Sequence, residues 1–363
     1  MPGGKTFSVA VVGAGPAGCA TALALARRGV PGVVLIDAGA GERVRVGETI
    51  PPDTRLPLAG LGLWDAFLAQ EHRPCLGSCS SWGSEALGYN DFLLNPQGPG
   101  WHLDRTRFDA LLRQAAGRAG VTVRSGTRCT AIHPMPDGSF ELALGPSRMR
   151  ARFVVDATGG AAAVARRLSA RQTTVDRLIF VYGFLDAPRL SSRLTLLEAV
   201  PDGWWYAAGL PGGRLAVAFA SDADLVRRRG LAQPARWLRA ARATRHVAPR
   251  LAGCDPATLD LVVRSCGTVL LDPVAGPGWL AVGDAAATYD PLMAQGIHKA
   301  LADGIRAAGA IAGGDPYATT VDEYLANREY VYALEKRWPE SDFWRRRQLT
   351  PGRPVDRAGG GQP

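Results

Sequence analysis

The chain opens with a run in which nearly every position is apolar, Phe7 to Val12 (FSVAVV), and such a run reads as a strand buried on both faces of a parallel sheet. It passes into Gly13-Ala14-Gly15-Pro16-Ala17-Gly18 and then into a helical stretch, from about Ala17 to Arg28, that stops at Gly29. A second all-apolar run, Val33–Ile36, ends at Asp37. Strand, glycines, helix, strand and acid in this order predict a dinucleotide cradle. Gly13 permits the tight turn, Gly15 lets the backbone approach a pyrophosphate, and Gly18 allows close helix–strand packing. Pro16 and Ala17 open a helix whose free N–H groups face the phosphates, and Asp37 can accept from the ribose hydroxyls.

The pattern changes in the middle of the chain. Leu178 to Tyr182 and Arg214 to Phe219 predict strands of an antiparallel sheet. Trp204, Trp205 and Tyr206 form the densest aromatic cluster, and because neighbouring strand positions face opposite ways, at most two of them can line one pocket. From Pro316 the chain reads as helices, Thr319 to Lys336 and Ser341 to Gln348, rich in aromatic residues that either pack over the nucleotide domain or shape a groove for a large substrate. The expected division is a nucleotide-binding domain from 1–74, 96–170 and 266–315, a substrate domain from 75–95 and 171–265, C-terminal helices over 316–350 and a disordered tail over 351–363.

Composition narrows the class. The chain has 363 residues, 47% hydrophobic and 21% charged, the balance of a soluble protein with a sizeable core, which excludes a disordered chain. No apolar stretch approaches the roughly eighteen residues of a membrane span, and the glycines of the first turn break what would otherwise resemble a signal peptide. A cytoplasmic protein without membrane association is expected. The net charge is +9, and 39 of the 42 basic residues are arginine; the lysines are Lys5, Lys299 and Lys336. That bias reads first as a coding preference. Arg227-Arg228-Arg229 and Arg345-Arg346-Arg347 also suggest a surface for an acidic partner, and no nucleic-acid motif accompanies them. Cys75 and Cys79 are too far apart for a C-x-x-C pair and no histidine cluster joins them, so reduced cysteines and no metal are expected.

A second signal lies downstream. Gly278-Trp279-Leu280-Ala281-Val282-Gly283-Asp284 reads as a buried strand ending in Gly-Asp, and Gln295-Gly296-Ile297 opens a long helix. A nicotinamide dehydrogenase has no need of this element, whereas a flavin does. Asp284, after Gly283, can bond a ribitol hydroxyl, and the helix beginning near Ala294 can aim its N-terminus at the N1–C2=O edge, where reduced flavin carries negative charge. FAD is therefore the expected cofactor. No second G-x-G-x-x-G follows a strand after residue 40, so electrons must come from NAD(P)H docking directly or through a separate flavin reductase. His298, three residues after Gln295, is the best-placed of five histidines for acid–base work, with a structural helix residue as the alternative. Pro291 and Met293 are expected to shape the pocket beside the ring.

These motifs together resemble those of the FAD-dependent aromatic hydroxylases, the flavin-dependent halogenases and the geranylgeranyl reductases. Val46-Gly47-Glu48-Thr49-Ile50-Pro51-Pro52 resembles the flavin-contacting loop of that group, Leu103-Asp104-Arg105-Thr106-Arg107-Phe108-Asp109 its helix start with Arg105 near the FAD, and Val154 to Gly160 the turn that closes the FAD domain at Gly159. Cys129 joins the expected cofactor set. The implied fold is α/β, a three-layer Rossmann-like FAD domain with an inserted antiparallel-sheet substrate domain and a helical C-terminus. The implied chemistry is a flavin C4a-hydroperoxide, formed from reduced FAD and O2, that delivers oxygen to an electron-rich carbon behind apolar walls.

A narrower resemblance rests on Ser81-Trp82-Gly83, Gly100 to Arg105, Asp202-Gly203-Trp204-Trp205-Tyr206, Asp290-Pro291-Leu292 and the tail Arg337-Trp338-Pro339 with Phe343-Trp344-Arg345-Arg346. It points to the branch of flavoprotein maturases of cysteine-tryptophylquinone oxidases, which oxygenate a tryptophan of a partner polypeptide. Against halogenation, Tyr206 stands where the Trp-x-Trp-x-Ile-Pro motif of the halogenases has its second tryptophan, and no lysine lies between the flavin loop and the substrate region. The expected protein is an FAD-dependent monooxygenase hydroxylating a tryptophan side chain of a peptide or protein, with Trp204, Trp205, Tyr206, Tyr182 and Met293 around the substrate. The alternatives are hydroxylation of a free aromatic natural-product intermediate, halogenation, double-bond reduction and a non-catalytic role in maturation.

Overall fold

The computed structural model describes residues 6–39, 46–314 and 316–348; the expected disordered tail lies outside them. The first strand, Thr6–Val12, is central in an eight-stranded sheet, parallel to Val33–Ile36 on one side and to Ser147–Asp156 on the other. Trp279–Ala281 joins Ser147–Asp156 in parallel, so the two sequence signals lie two strands apart in one sheet. Alternation along the strands feeds two cores. Val9, Val11, Val33 and Leu35 pack under the helices Pro16–Arg27, Arg105–Arg118 and Gly296–Gly313. Phe7, Ala10, Val34 and Ile36 face the hairpin that carries Ile132, Phe140 and Leu142. Both faces of the parallel sheet are thus covered, as its near-continuous apolar strands require.

The second large sheet has seven strands, in the order Asp260–Ser265, Leu178–Asp186, Arg214–Asp222, Gly203–Leu210, Leu194–Val200, Gly77–Ser81, Gly88–Asp91. Pairing is antiparallel except between Leu194–Val200 and Gly77–Ser81, which run parallel. The sheet is thus antiparallel in the main, as expected; Gly77–Ser81 comes from a separate excursion of the chain, and a strand not joined by a hairpin is free to pair in either sense. On one face Phe180, Tyr182, Trp204 and Tyr206 share a core, and on the other Val181, Trp205, Val217 and Phe219 pack against Trp237.

The C-terminal helices Val321–Ala333 and Asp342–Gln348 close the first of these faces. Tyr332, Phe343 and Trp344 join the core of Trp204, and Trp82 sits edge-on to Trp344 with centroids 5.2 Å apart. The same helices consume the arginine runs. Arg346 pairs with Asp222 and Asp224, Arg347 with Asp222 at 2.7 Å and Arg345 with Asp342, while Arg228 pairs with Asp224 and Asp342 and Arg229 with Asp202. Five of the six arginines expected as a polyanion surface are therefore paired with aspartates, some local, as Arg345 with Asp342, and some brought in by tertiary packing, as Arg346 and Arg347 with Asp222.

Candidate functional site

A cavity of about 580 Å³ lies between the parallel sheet and the antiparallel one. Gly15, Pro16 and Ala17 floor one end, and Gly159 and Asp284 flank it. Gly13 adopts φ +111°, and a Cβ there would stand 2.1 Å from the Ala157 carbonyl oxygen. A Cβ on Gly18 would stand 1.9 Å from the Gly13 carbonyl oxygen, so these two glycines build the turn without lining the cavity. Gly15, by contrast, meets no atom within 4 Å, and neither do Gly159 and Gly296.

The helix Gly296–Gly313 presents Gly296 and Ile297 to the same cavity, which Pro291 also lines. The free N–H groups of its first turn place positive partial charge there. Asp284 opens into the cavity but is hemmed in by protein, and this burial pushes its carboxyl above the usual range, opposed by Lys299.

The loop before Thr49 forms the third wall. The Arg105 guanidinium donates to the carbonyls of Val46 and Gly47 and pairs with Asp109 at 3.4 Å. Glu48 is 3% exposed, and burial pushes its carboxyl up to about 7 against the pull of Arg105. Glu48 Oε1 and Arg105 Nε are buried without a hydrogen-bond partner among the described residues. Thr49 and Tyr206 join hydroxyls at 2.7 Å, and Phe180, Tyr182 and Tyr206 give the antiparallel sheet's contribution. Burial raises the phenols of Tyr182 and Tyr206 well above their ordinary value, with Glu48 adding to the shift, so both remain O–H donors at neutral pH.

Other expected site residues lie elsewhere. Trp204 turns toward the C-terminal helices, its Nε1–H donating to the Tyr332 hydroxyl at 3.2 Å. Trp205 is on the far face of the sheet, 5.3 Å from the Trp237 ring. Both are core side chains: Tyr332 and Trp344 cover the face that carries Trp204, and Trp237 and Phe219 cover the face that carries Trp205. Met293, Gln295 and His298 belong to the turn and helix start but do not line the cavity. Burial lowers the His298 pKa, with Asp53 opposing it, which places the ring near the turn at Asp53. Gly283 packs against Ala17, and Ile50 is fully buried. Asp37 ends its strand with its carboxylate accepting from Gly39 N–H. Cys129, whose thiol donates to the Ala131 carbonyl, also lies off the cavity. The sequence reading missed Arg264, Ser265, Cys266 and Gly267, which line it. The signal was present as the apolar run Leu261 to Val263 followed by a polar break, a last strand returning toward the FAD domain. Among the described residues no group of three or more metal-ligating side chains occurs, and no helix is long and apolar enough to cross a membrane.

A nucleotide cradle with open glycines, a helix N-terminus and an acid, all lining one cavity, define a flavoprotein oxidoreductase. The chain belongs to the FAD binding domain family, which it matches over residues 6–228, and FAD is its cofactor. It is similar to the FAD-dependent oxidoreductase LodB of Marinomonas mediterranea, 26% identical over 359 residues that cover 94% of this chain and 97% of LodB. Among solved structures it resembles the flavin-dependent halogenase CmlS, with a TM-score of 0.82 and 24% identity over 96% of this chain and 68% of that one. It also resembles QhpG, a peptidyl tryptophan dihydroxylase essential for tryptophylquinone cofactor biogenesis, with a TM-score of 0.75 and 24% identity over 95% of this chain and 79% of that one.

The residues present fit the cofactor: Gly15 and Gly159 leave open space where a pyrophosphate would lie, and Asp284 and the first turn of Gly296–Gly313 line the same cavity and would hold the ribitol and the ring. Bound and reduced, FAD supplies the electrons that activate O2.

Proposed function

We propose that the protein hydroxylates an aromatic ring, a tryptophan side chain within a peptide or protein, as an FAD-dependent monooxygenase that takes electrons from NAD(P)H directly or through a flavin reductase. The observation that carries this reading is the cavity wall. Phe180, Tyr182 and Tyr206 offer an aromatic surface with two O–H donors, and none of the lining residues is a lysine. Lys299, the lysine nearest in sequence to the flavin motifs, is turned away: its ammonium donates to the Gly283 carbonyl at 2.8 Å and pairs with Asp303 at 2.9 Å. Arg105 fixes the loop that carries Glu48, and Thr49 holds the Tyr206 hydroxyl in place. An indole is already nucleophilic and needs no strong base, which suits a site whose expected histidine stands aside. The likeness to QhpG supports a peptidyl substrate.

Halogenation is the second reading, favoured by the likeness to CmlS. Mass analysis of a tryptophan-containing polypeptide encoded beside the protein, produced with and without it, separates the two. Added oxygen on one tryptophan, lost with Asp284→Ala, is the expected result. A chlorine isotope pattern would establish halogenation instead, and an unchanged mass with reducible FAD bound would shift the substrate to a free aromatic metabolite.

A further inference from the structure

The strand Asp260–Ser265 ends the seven-stranded sheet, and among the described residues it pairs only with Leu178–Asp186. The register Phe180↔Arg264 and Tyr182↔Val262, with the Cys266 N–H donating to the Leu178 carbonyl at 3.0 Å, turns the backbone groups of Val262, Arg264 and Cys266 inward. Those of Leu261, Val263 and Ser265 therefore point outward. No described main-chain group bonds them, and the Val263 carbonyl accepts from Arg264 Nη1 at 3.0 Å. Proteins commonly blunt such edges with proline, charged side chains or a bulge. This strand reads Asp-Leu-Val-Val-Arg-Ser, without proline; its charges, Asp260 and Arg264, are not on the residues whose backbone points outward, and Val263 is 45% exposed. Its last residues run without a break into the cavity wall, through Arg264, Ser265, Cys266 and Gly267.

A row of outward N–H and C=O groups at strand spacing complements one class of ligand, another extended backbone. Resting on the hydroxylation of a peptidyl aromatic proposed above, we infer that the substrate polypeptide adds to the outer edge of Asp260–Ser265 as an eighth strand. Directly opposed residues on neighbouring strands project to the same face. A substrate residue opposite Arg264 or Cys266 therefore projects to the cavity face, where Val262 and Cys266 pack with Phe180, Tyr182 and Tyr206. Its two sequence neighbours project to the other face, beside Leu261. The register thus delivers one aromatic side chain about one strand width, ~4.8 Å, outside Arg264 while its neighbours rest against Val263. A free aromatic metabolite makes no use of this edge.

The test uses the FAD-loaded protein, in air with NADH and a flavin reductase for the oxygenation arm, and three probes: N-acetyltryptophanamide, a blocked heptapeptide with a central tryptophan among valines and threonines, and the same heptapeptide N-methylated at alternate amides. Binding is read from the absorbance of the bound FAD, and oxygenation from product mass. The heptapeptide is expected to bind about tenfold tighter than the single residue, the yield of one or two net backbone hydrogen bonds. N-methylation at the pairing amides, or Val263→Pro in the protein, brings the ratio of the two affinities near one. Val263→Pro removes an outward N–H without a ladder bond, and its FAD content reports on folding. A heptapeptide that binds no tighter than the single residue, or a gain that survives N-methylation on the unaltered protein, overturns the inference. Oxygenation of the heptapeptide that is indifferent to both changes leaves the reaction standing and removes only the role of the edge. Absence of oxygenation in either aromatic overturns the proposed reaction and this inference with it.

Discussion

The Tyr332 hydroxyl donates to the Asp290 carboxylate at 2.6 Å, so a C-terminal helix holds the turn that leads into the flavin-facing helix. Asp290 N–H in turn donates to the Tyr324 hydroxyl at 2.6 Å, Tyr324 stacks on Tyr289 with centroids 3.6 Å apart, and Arg328 bridges Asp176 at 2.7 Å. Burial, then the nearby Asp176, raise the Asp290 carboxyl, and Arg328 opposes them. Pro291, next in the chain, lines the cavity. The aromatic tail is thus part of the scaffold that fixes the site.

Tyr332→Phe leaves the Asp290 carboxylate short of a donor and the Trp204 indole N–H short of an acceptor, both in a dry core. The expected cost is about 1–3 kcal/mol, seen as a lower Tm with unchanged secondary structure. An unaltered Tm would mean that the network contributes nothing to stability.

The two glycines of the nucleotide turn should respond in opposite ways to alanine. Gly15 has φ −75° and open space around it, so Gly15→Ala is expected to leave the folding stability of the FAD-free protein unchanged to within about 0.5 kcal/mol while weakening FAD binding at least about tenfold. Gly18→Ala drives a methyl into the Gly13 carbonyl and should prevent the turn from forming at all. Parallel FAD titration and thermal melts distinguish them; equal losses of stability would refute the assignment.

Glu48 carries a pH signature. Its carboxyl is held at about 7 in the folded protein against an ordinary 4.5. Between those values the unfolded chain releases its proton first, so folding stability falls as pH rises through this window and levels off above it. Glu48→Gln should flatten that slope in the FAD-free protein, a difference of at most about 3 kcal/mol between its ends. Denaturant midpoints at pH 4.5 and 8 provide the measurement, and an unchanged slope would assign the titration to another group.

Adjacent aromatics on one strand should separate function from stability. Tyr206→Phe removes the hydroxyl that Thr49 holds in the cavity and is expected to alter turnover and the flavin absorbance with little change in Tm. Trp205→Phe, in the far core against Trp237 and Phe219, should cost about 1–3 kcal/mol and spare the kinetics. The converse pattern would place Trp205 in the site.

The nucleotide half of the site was legible because its signals are local. The run Phe7 to Val12, the three glycines and the helix start after Gln295 each dictate their own backbone, and a glycine that must turn or yield space does so wherever the chain goes. Trp204 and Trp205 show the limit of such reading. Periodicity says that neighbours on a strand face opposite ways, and they do, but it cannot say which face meets the flavin domain and which meets Trp237 or Tyr332. Likewise Arg345, Arg346 and Arg347 look like exposed charge until Asp222, Asp224 and Asp342 are brought against them.

By itself the sequence determined the dinucleotide cradle, the flavin-type second motif and the alternating strands of a substrate sheet, since hydrophobic period and glycine sterics act over a few residues. Only the tertiary structure decided that Arg264 to Gly267 wall the cavity, that Lys299 is spent on Asp303, that the aromatic tail braces Asp290 and that, among the described residues, Asp260–Ser265 pairs with one strand alone. Those outcomes depend on which distant segments share a core, and burial energy is blind to separation along the chain.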